Sequence, residues 1–356
     1  MRLPARPPSL EYTGALPMIT LLRASDYGSP SRFERERRAV FAREWMAIGD
    51  TSQLAVDGDT LALSVAGFPI IVVNDLGTLR GFHNVCRHRA GPLVADGRSQ
   101  CTSFVCRYHG WSYNRDGSLK AARDFGEAVR SEDFSLHPIA VADFRGILLI
   151  CLSPDPKPLT EWLATVEREA SRFPIESFVV THRSQHEIAA DWKVYAENYQ
   201  EGYHIPLVHP GLNRQIVAKR YEVRIDGPVA VYRAPTRAGS VTDGVWLWRF
   251  PGLALNIYPT GMSLESFWPT GPKTTLVSYT FFFHPATPED QQTAAIASSI
   301  QILEEDRDIC EAVQRNLSAG IYDTGILSPR HERGVELVQR LVAEALARDE
   351  AGALRS

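Results

Sequence analysis

Sulfur is scarce in this chain, with five Cys and four Met among 356 residues, which excludes a disulfide-built scaffold. Positive charge is not in excess: 38 Lys and Arg stand against 42 Asp and Glu, a net charge of −4, so nothing favours a nucleic-acid partner. No apolar run is long enough to span a bilayer. No Gly-rich dinucleotide fingerprint follows an expected strand, and no C-x₄-C-x₂-C ferredoxin spacing occurs. The chain therefore carries neither a nicotinamide-binding unit nor a plant-type ferredoxin of its own. There is no internal repeat. The Pro-rich residues 4–8 read as a loose arm without the apolar stretch of a secretory signal, and a reducing, cytoplasmic setting is expected, with Cys101, Cys151 and Cys310 as buried thiols.

What is present is ordinary globular material, 44 % hydrophobic and 22 % charged, long enough for two domains. Helical periodicity runs from Phe33 to Trp45, with Glu34, Arg35, Glu36, Arg37 and Arg38 outward. Short strands are expected at Leu61–Val65, Ile70–Asn74 and Ser103–Cys106, with a hairpin turn at Asn114-Arg115-Asp116-Gly117-Ser118 and a closing strand at Phe144–Cys151. The Pro-rich segment Ser153–Pro158 breaks the chain. Beyond it come helices at Leu159–Phe173 and Ile188–Tyr203, strands around 219–234, 246–258 and 275–284, and helices at 289–318 and 330–348. The pattern is α+β: 1–45 an N-terminal arm and helix, 46–155 a small antiparallel β domain, and 156–356 a larger domain.

The strongest chemical signal is Cys86-x-His88 followed by Cys106-x-x-His109, four of the chain's 5 Cys and 10 His in two short loops. A Rieske [2Fe–2S] centre needs two thiolates on one iron and two imidazoles on the other, so one Cys and one His per loop is the required order. Tetrahedral zinc also accepts Cys₂His₂, but zinc fingers pair Cys with Cys and His with His. Cys101 lies between the loops and offers a poorer spacing than Cys106.

About a hundred residues later comes Asp191-Trp192-Lys193-Val194-Tyr195-Ala196-Glu197-Asn198-Tyr199-Gln200-Glu201-Gly202-Tyr203-His204, then His209. Two imidazoles with a carboxylate on one face, leaving open positions, suit a non-haem Fe(II) that activates O₂. Pro206 between His204 and His209 predicts a helix ending near Tyr203 and a turn presenting His209.

On these two runs, and on the weaker Glu304-Glu305-Asp306-Arg307-Asp308-Ile309-Cys310-Glu311 segment, the chain resembles the α subunit of the Rieske non-haem iron oxygenases, the ring-hydroxylating dioxygenase family. The resemblance spans about residues 30–340. It implies a Rieske domain joined to a helix-grip-like catalytic domain on an antiparallel sheet. Cys86, His88, Cys106 and His109 would bind the cluster. His204 and His209 would bind the mononuclear iron with a carboxylate from the late helix: Asp306, or else Glu305 or Asp308. A helical reading places Ile302, Cys310, Val313 and Leu317 on an apolar stripe bordered by Asp306 and Ile309, with Glu304 and Asp308 solvated.

By the same resemblance Glu201 would bridge His204 of one subunit to the cluster histidine His109 of its neighbour. Family members commonly carry Asp there, and some that act on quaternary ammonium compounds carry Glu. Asn198 matches a family residue near the iron, where an ordinary helix cap is the alternative. The implied activity is O₂- and NAD(P)H-dependent oxygenation: dioxygenase, monooxygenase or demethylase chemistry on a small organic substrate, aromatic hydrocarbons first and a quaternary ammonium compound second. Electrons would come through a separate flavin- or ferredoxin-type reductase, and the assembly would be a homotrimer. A stand-alone Rieske carrier and a zinc-stabilised binding protein are the other classes; the His204/His209 run and the length argue against the carrier. Trp246, Leu247, Trp248, Phe250, Leu253, Leu255 and Ile257, and Phe281, Phe282 and Phe283, can line a pocket or pack a core.

Overall fold

A computed structural model describes residues 18–125, 129–217, 220–237 and 244–353. The Pro-rich N-terminal arm lies outside the described residues. Mixed helix and antiparallel sheet is the observed class, organised on two seven-stranded sheets. The first runs Met46–Asp50, Ile147–Cys151, Pro138–Phe144, Thr78–His83, Phe68–Asp75, Asp59–Val65 and Gly97–Gln100 in spatial order. A three-stranded sheet, Phe104–Val105, Ser112–Tyr113 and Leu119–Ala121, completes the cluster-motif region. The second seven-stranded sheet runs Val179–Ile188, Thr274–Phe283, Gly261–Gly271, Leu253–Tyr258, Val245–Arg249, Val229–Arg233 and Glu222–Asp226.

Alternating inward side chains make the core. Ile70 and Val72 of the first sheet, Phe267 and Val277 of the second, and Val338 and Val342 of the last helix belong to one buried cluster, so the two sheets share a core. Arg183 clamps them from the rim, donating from Nε and Nη2 to the carboxylate of buried Asp50 at 2.6 and 2.8 Å.

Several element boundaries differ from the sequence reading. The first helix is Pro30–Glu36, capped by Ser29 and opened by Pro at its first position, and it widens to a π turn at Arg37–Phe41. Trp45 is outside it, its indole N–H held by the Lys157 carbonyl. The closing strand starts at Ile147 because Arg145 and Gly146 turn the chain with φ of +52° and +88°. Leu159–Phe173 is two helices, Leu159–Trp162 and Ala164–Ala170, parted at Leu163. Ile188 ends a ten-residue strand instead of starting a helix. Of the three cysteines expected to be buried, Cys151 and Cys310 are, and Cys101 is half-exposed.

The helix that carries the second motif is Trp192–Tyr199. Asp191 caps it by accepting from Lys193 N at 2.9 Å. The fully buried Lys193 ammonium lies 2.8 Å from Asp191 and 2.9 Å from Glu36, and the Trp192 indole donates to the same Glu36 carboxylate. Such a network fixes register rather than adding stability, because each charge gives up its water to enter it. Trp192 and Lys193 therefore specify where this helix sits.

Candidate metal centres and the active-site cavity

The two cluster loops fold alike. In each, the cysteine N–H donates to the carbonyl five residues on (Cys86 to Gly91, Cys106 to Trp111), and the residue four on donates back to the cysteine carbonyl. That fourth residue is left-handed in both, Ala90 at φ +55° and Gly110 at φ +75°. Two like turns facing each other bring thiol to thiol and ring to ring. Burial, with the facing Cys86 thiol adding to it, pushes the Cys106 thiol upward. The His88 and His109 rings stand 4.6 Å apart.

His88 stacks on Trp111 at 5.1 Å, and its Nδ1 is buried with no hydrogen-bond partner among the described residues. An orphaned buried imidazole nitrogen beside two apposed thiols is what a [2Fe–2S] cluster would satisfy. A Cβ on Gly91 would lie 2.8 Å from Cys106 Sγ, so the loop has room for the sulfur only because residue 91 has no side chain. Tyr113 OH lies 3.4 Å from Cys86 Sγ and accepts the Arg87 N–H at 3.0 Å.

The second centre forms where the Trp192–Tyr199 helix ends. Gly202 passes the ring of Tyr221, which a Cβ would meet at 2.8 Å, and Pro206 and Pro210 then open two short helices with His209 between them. The expected helix end near Tyr203 is thus four residues early, at Tyr199. His204 Nε2 and His209 Nε2 come to 3.1 Å, His209 Nε2 lies 3.0 Å from Asp306 Oδ1, and His204 Nε2 lies 3.6 Å from it. Three ligands at right angles on an ion with bonds near 2.1 Å would be about 3.0 Å apart, so two edges of this triangle match an octahedral face and the His204–Asp306 edge, at 3.6 Å, is longer. Among the described residues these three form the one such group of His, Cys, Asp or Glu.

The neighbours of the triad hold it. Glu201 Oε1 takes His204 Nδ1 at 2.5 Å, while Oε2 accepts the backbone N–H groups of Tyr203 and His204. Glu305 Oε2 takes His209 Nδ1 at 2.7 Å, and Asn198 Nδ2 donates to Asp306 Oδ1 at 2.6 Å. Of the late carboxylates, the structure therefore brings Asp306 into the triangle and Glu305 behind a histidine, and it leaves Asp308 exposed. Glu304 pairs with Arg307 and lies 3.6 Å from His186 Nδ1. The buried line of the Glu289–Ser318 helix is Leu303, Cys310 and Gln314, not Val313, and Asp306 lies along it. Burial alone depresses the His209 imidazole, but Asp306 and Glu305 lift it above its ordinary value.

The triad opens on a cavity of about 150 Å³. Of the apolar residues in the sequence reading, Trp246 alone reaches it. Trp248, Phe250 and Phe281 pack in the shared core, and Leu247, Leu253, Leu255, Ile257 and Phe282 in the layer behind the sheet. The wall is tyrosine: Tyr195, Tyr199, Tyr221, Tyr232, Tyr258 and Tyr279, with Glu265 among them. Glu265 accepts from Tyr195 OH at 2.6 Å and Tyr279 OH at 2.7 Å, and burial pushes its carboxyl up to about 7. Sequence reasoning missed these residues. The available signal was Glu265 itself, the sole charge in the strand Gly261–Gly271.

Comparison with known proteins agrees with both centres. Residues 44–133 match the family model of the Rieske [2Fe-2S] domain, and residues 175–244 and 232–348 match that of the ring hydroxylating alpha subunit (catalytic domain). Choline monooxygenase, chloroplastic, from Arabidopsis thaliana is 29 % identical over 339 residues, 87 % of this chain and 80 % of that protein. The carnitine monooxygenase oxygenase subunit of Acinetobacter baumannii is 28 % identical over 345 residues, 89 % of this chain and 92 % of that protein. A quaternary ammonium Rieske monooxygenase in complex with L-carnitine superposes with a TM-score of 0.81 at 27 % identity, over 92 % of this chain and 95 % of that one. Naphthalene 1,2-dioxygenase from Rhodococcus sp. shares the fold, with a TM-score of 0.76 at 18 % identity over 91 % and 94 % of the two chains.

The chain belongs to the Rieske non-haem iron oxygenases. It is an oxygenase component, using a Rieske [2Fe–2S] cluster and a mononuclear iron to activate O₂ with electrons from a reductase. Among the described residues no helix is long and apolar enough to cross a membrane.

Proposed function

We propose that this oxygenase acts on a quaternary ammonium compound, by monooxygenation or N-demethylation, and that the substrate sits in the tyrosine-walled cavity beside His204, His209 and Asp306. One observation carries this reading: the metal triad opens on aromatic faces around a buried carboxylate, Glu265. Aromatic cages suit quaternary ammonium ions, whose charge is attracted by the ring faces. The names of the choline and carnitine relatives point the same way and away from aromatic hydrocarbon catabolism.

In this reading Cys86, Cys106, His88 and His109 hold the cluster, and His204, His209 and Asp306 hold Fe(II). When bound, the cluster supplies electrons singly and the iron supplies open positions for O₂. The chain's own residues prepare that chemistry. Glu201 and Glu305 accept the Nδ1–H of His204 and His209, which fixes the tautomer that points Nε2 inward. Asn198 steadies Asp306. Tyr199, Tyr221, Tyr232 and Trp246 exclude water and orient the cation.

Glu201 also lines a second, larger groove of about 790 Å³ on the other side of the Trp192–Tyr199 helix. We assign it the bridge to His109 of a neighbouring subunit, in a homotrimer, because it touches both the iron histidine and an open surface. The half-buried His109 adjoins the 56 %-exposed Tyr108, whereas His88, also half-buried, is stacked on Trp111. The test is substrate-dependent O₂ consumption by the holoenzyme with a supplied reductase. Turnover with choline-type compounds and release of oxygenated or demethylated product supports the reading; turnover confined to benzoate-like aromatics contradicts it.

A further inference from the structure

The charge inventory of the cavity narrows the substrate. Among the described residues that wall it there is no Lys and no Arg, while three carboxylates line it: Glu201, Glu265 and Asp306. Glu201 and Asp306 are engaged with the two histidines, at 2.5 Å from His204 Nδ1 and 3.0 Å from His209 Nε2. Among the described residues Glu265 has no cationic partner. Each of its oxygens receives one tyrosine hydroxyl, Oε1 from Tyr195 and Oε2 from Tyr279, which fixes the carboxylate and leaves a lone pair on each oxygen.

A carboxyl group held rigidly in a largely aromatic cavity, with no Lys or Arg among the described lining residues, is arranged to receive a cation from outside, whose charge would favour its ionised form. The other polar groups of the wall include the neutral Asn256, which accepts from Tyr199 OH at 2.9 Å and donates to Ser263 at 3.2 Å, and Ser299. A ligand carboxylate would find no Lys or Arg among the described lining residues and would be repelled by Glu265, the one positive charge there being the iron that His204, His209 and Asp306 would hold. Size points the same way. An apolar cavity of about 150 Å³ holds a molecule the size of benzene, and this one has a similar volume.

Resting on the quaternary ammonium reading, we propose that Glu265 is the counter-charge that seats the substrate's ammonium group, and that the enzyme selects a compact monocation with an uncharged, hydroxyl-type tail against zwitterions. Glu265 is thereby a specificity-determining residue for the reaction.

The test uses the reconstituted holoenzyme with reductase and four probes: choline, glycine betaine, L-carnitine and dimethylbutanol, the uncharged carbon isostere of choline. Binding by calorimetry and kcat/KM from O₂ uptake are measured for the wild type and Glu265→Gln. Choline should exceed both zwitterions by at least about 30-fold in kcat/KM, and its binding should exceed that of the isostere by about tenfold or more. In Glu265→Gln, choline binding should fall about tenfold or more while isostere binding stays within about twofold. Equal or better use of glycine betaine or L-carnitine by the wild type overturns this inference and leaves the ammonium reading standing. So does a wild type that binds choline no better than the isostere. Failure of all three ammonium compounds to bind overturns the ammonium reading itself, and this inference with it.

Discussion

Asn198 Nδ2 donates to Asp306 Oδ1 at 2.6 Å, and that same oxygen stands 3.0 Å from His209 Nε2. The two residues are 108 positions apart, on the Trp192–Tyr199 and Glu289–Ser318 helices. One hydrogen bond thus ties the carboxylate from the late helix to the helix that leads into both histidines. The family resemblance implies a place for Asn198 near the iron; in the structure its side chain is bonded to Asp306.

Asn198→Ala should loosen Asp306 without touching the cluster. Loss of such a supporting hydrogen bond typically costs about 10–100-fold in metal affinity or activity. Iron titration of the apoprotein would show the weakening, while the visible spectrum of the cluster should be unchanged.

Glu201→Gln should keep both metals and slow electron transfer in a single turnover. The amide can still accept from His204 Nδ1, but it lacks the charge that steadies imidazole partners on both sides. Rapid-mixing absorbance of the pre-reduced enzyme against O₂ and substrate measures this directly. An unchanged rate would remove Glu201 from the electron route.

Tyr113→Phe should lower the reduction potential of the cluster. Tyr113 OH, 3.4 Å from Cys86 Sγ, stabilises negative charge on that sulfur, and reduction adds negative charge. A hydrogen bond worth about 1 kcal/mol corresponds to a shift on the order of 40 mV for one electron. Redox titration followed by absorbance would register it.

The residues that gather at the two candidate centres could be picked out in the sequence for different reasons. The candidate cluster residues sit in two short turns with the same hydrogen-bond plan, so sequence spacing translates into spatial spacing. His204 and His209 were legible because they stand five residues apart, with Pro206 between them, at the end of a recognisable motif. Asp306 required a helix to be oriented from an apolar stripe, and that stripe runs through Leu303 and Gln314 instead of Val313, so Glu305 stayed open as an alternative. The cavity was not legible. Tyr199, Tyr221, Tyr232, Tyr258 and Tyr279 come from one helix, one loop and three strands, and no period or spacing links them. Trp246 and Trp248 alternate onto one strand face, yet one lines the cavity and the other is buried against Phe250.

Stability should fall as pH rises from about 5 to 7, and Glu197 should account for part of the fall. Burial raises its carboxyl from 4.5 to about 7, against the opposing hydrogen bonds from Tyr27 OH and Gln339. A folded-state value above the unfolded one means the fold holds the proton where the unfolded chain has released it. The contribution is complete below about 4.5 and disappears as pH climbs to about 7, some 3 kcal/mol for a shift of this size. Urea denaturation across that interval should show a shallower pH dependence in Glu197→Gln than in the wild type.

The most direct measurement is EPR of the reduced, iron-loaded chain before and after nitric oxide, in the wild type and in His204→Ala. The wild type should give the reduced Rieske signal together with a separate iron–nitrosyl signal, and His204→Ala should keep the first in full and lose the second. A wild type without the nitrosyl signal, or a His204→Ala variant that loses the Rieske signal instead, would contradict a chain with two distinct iron centres.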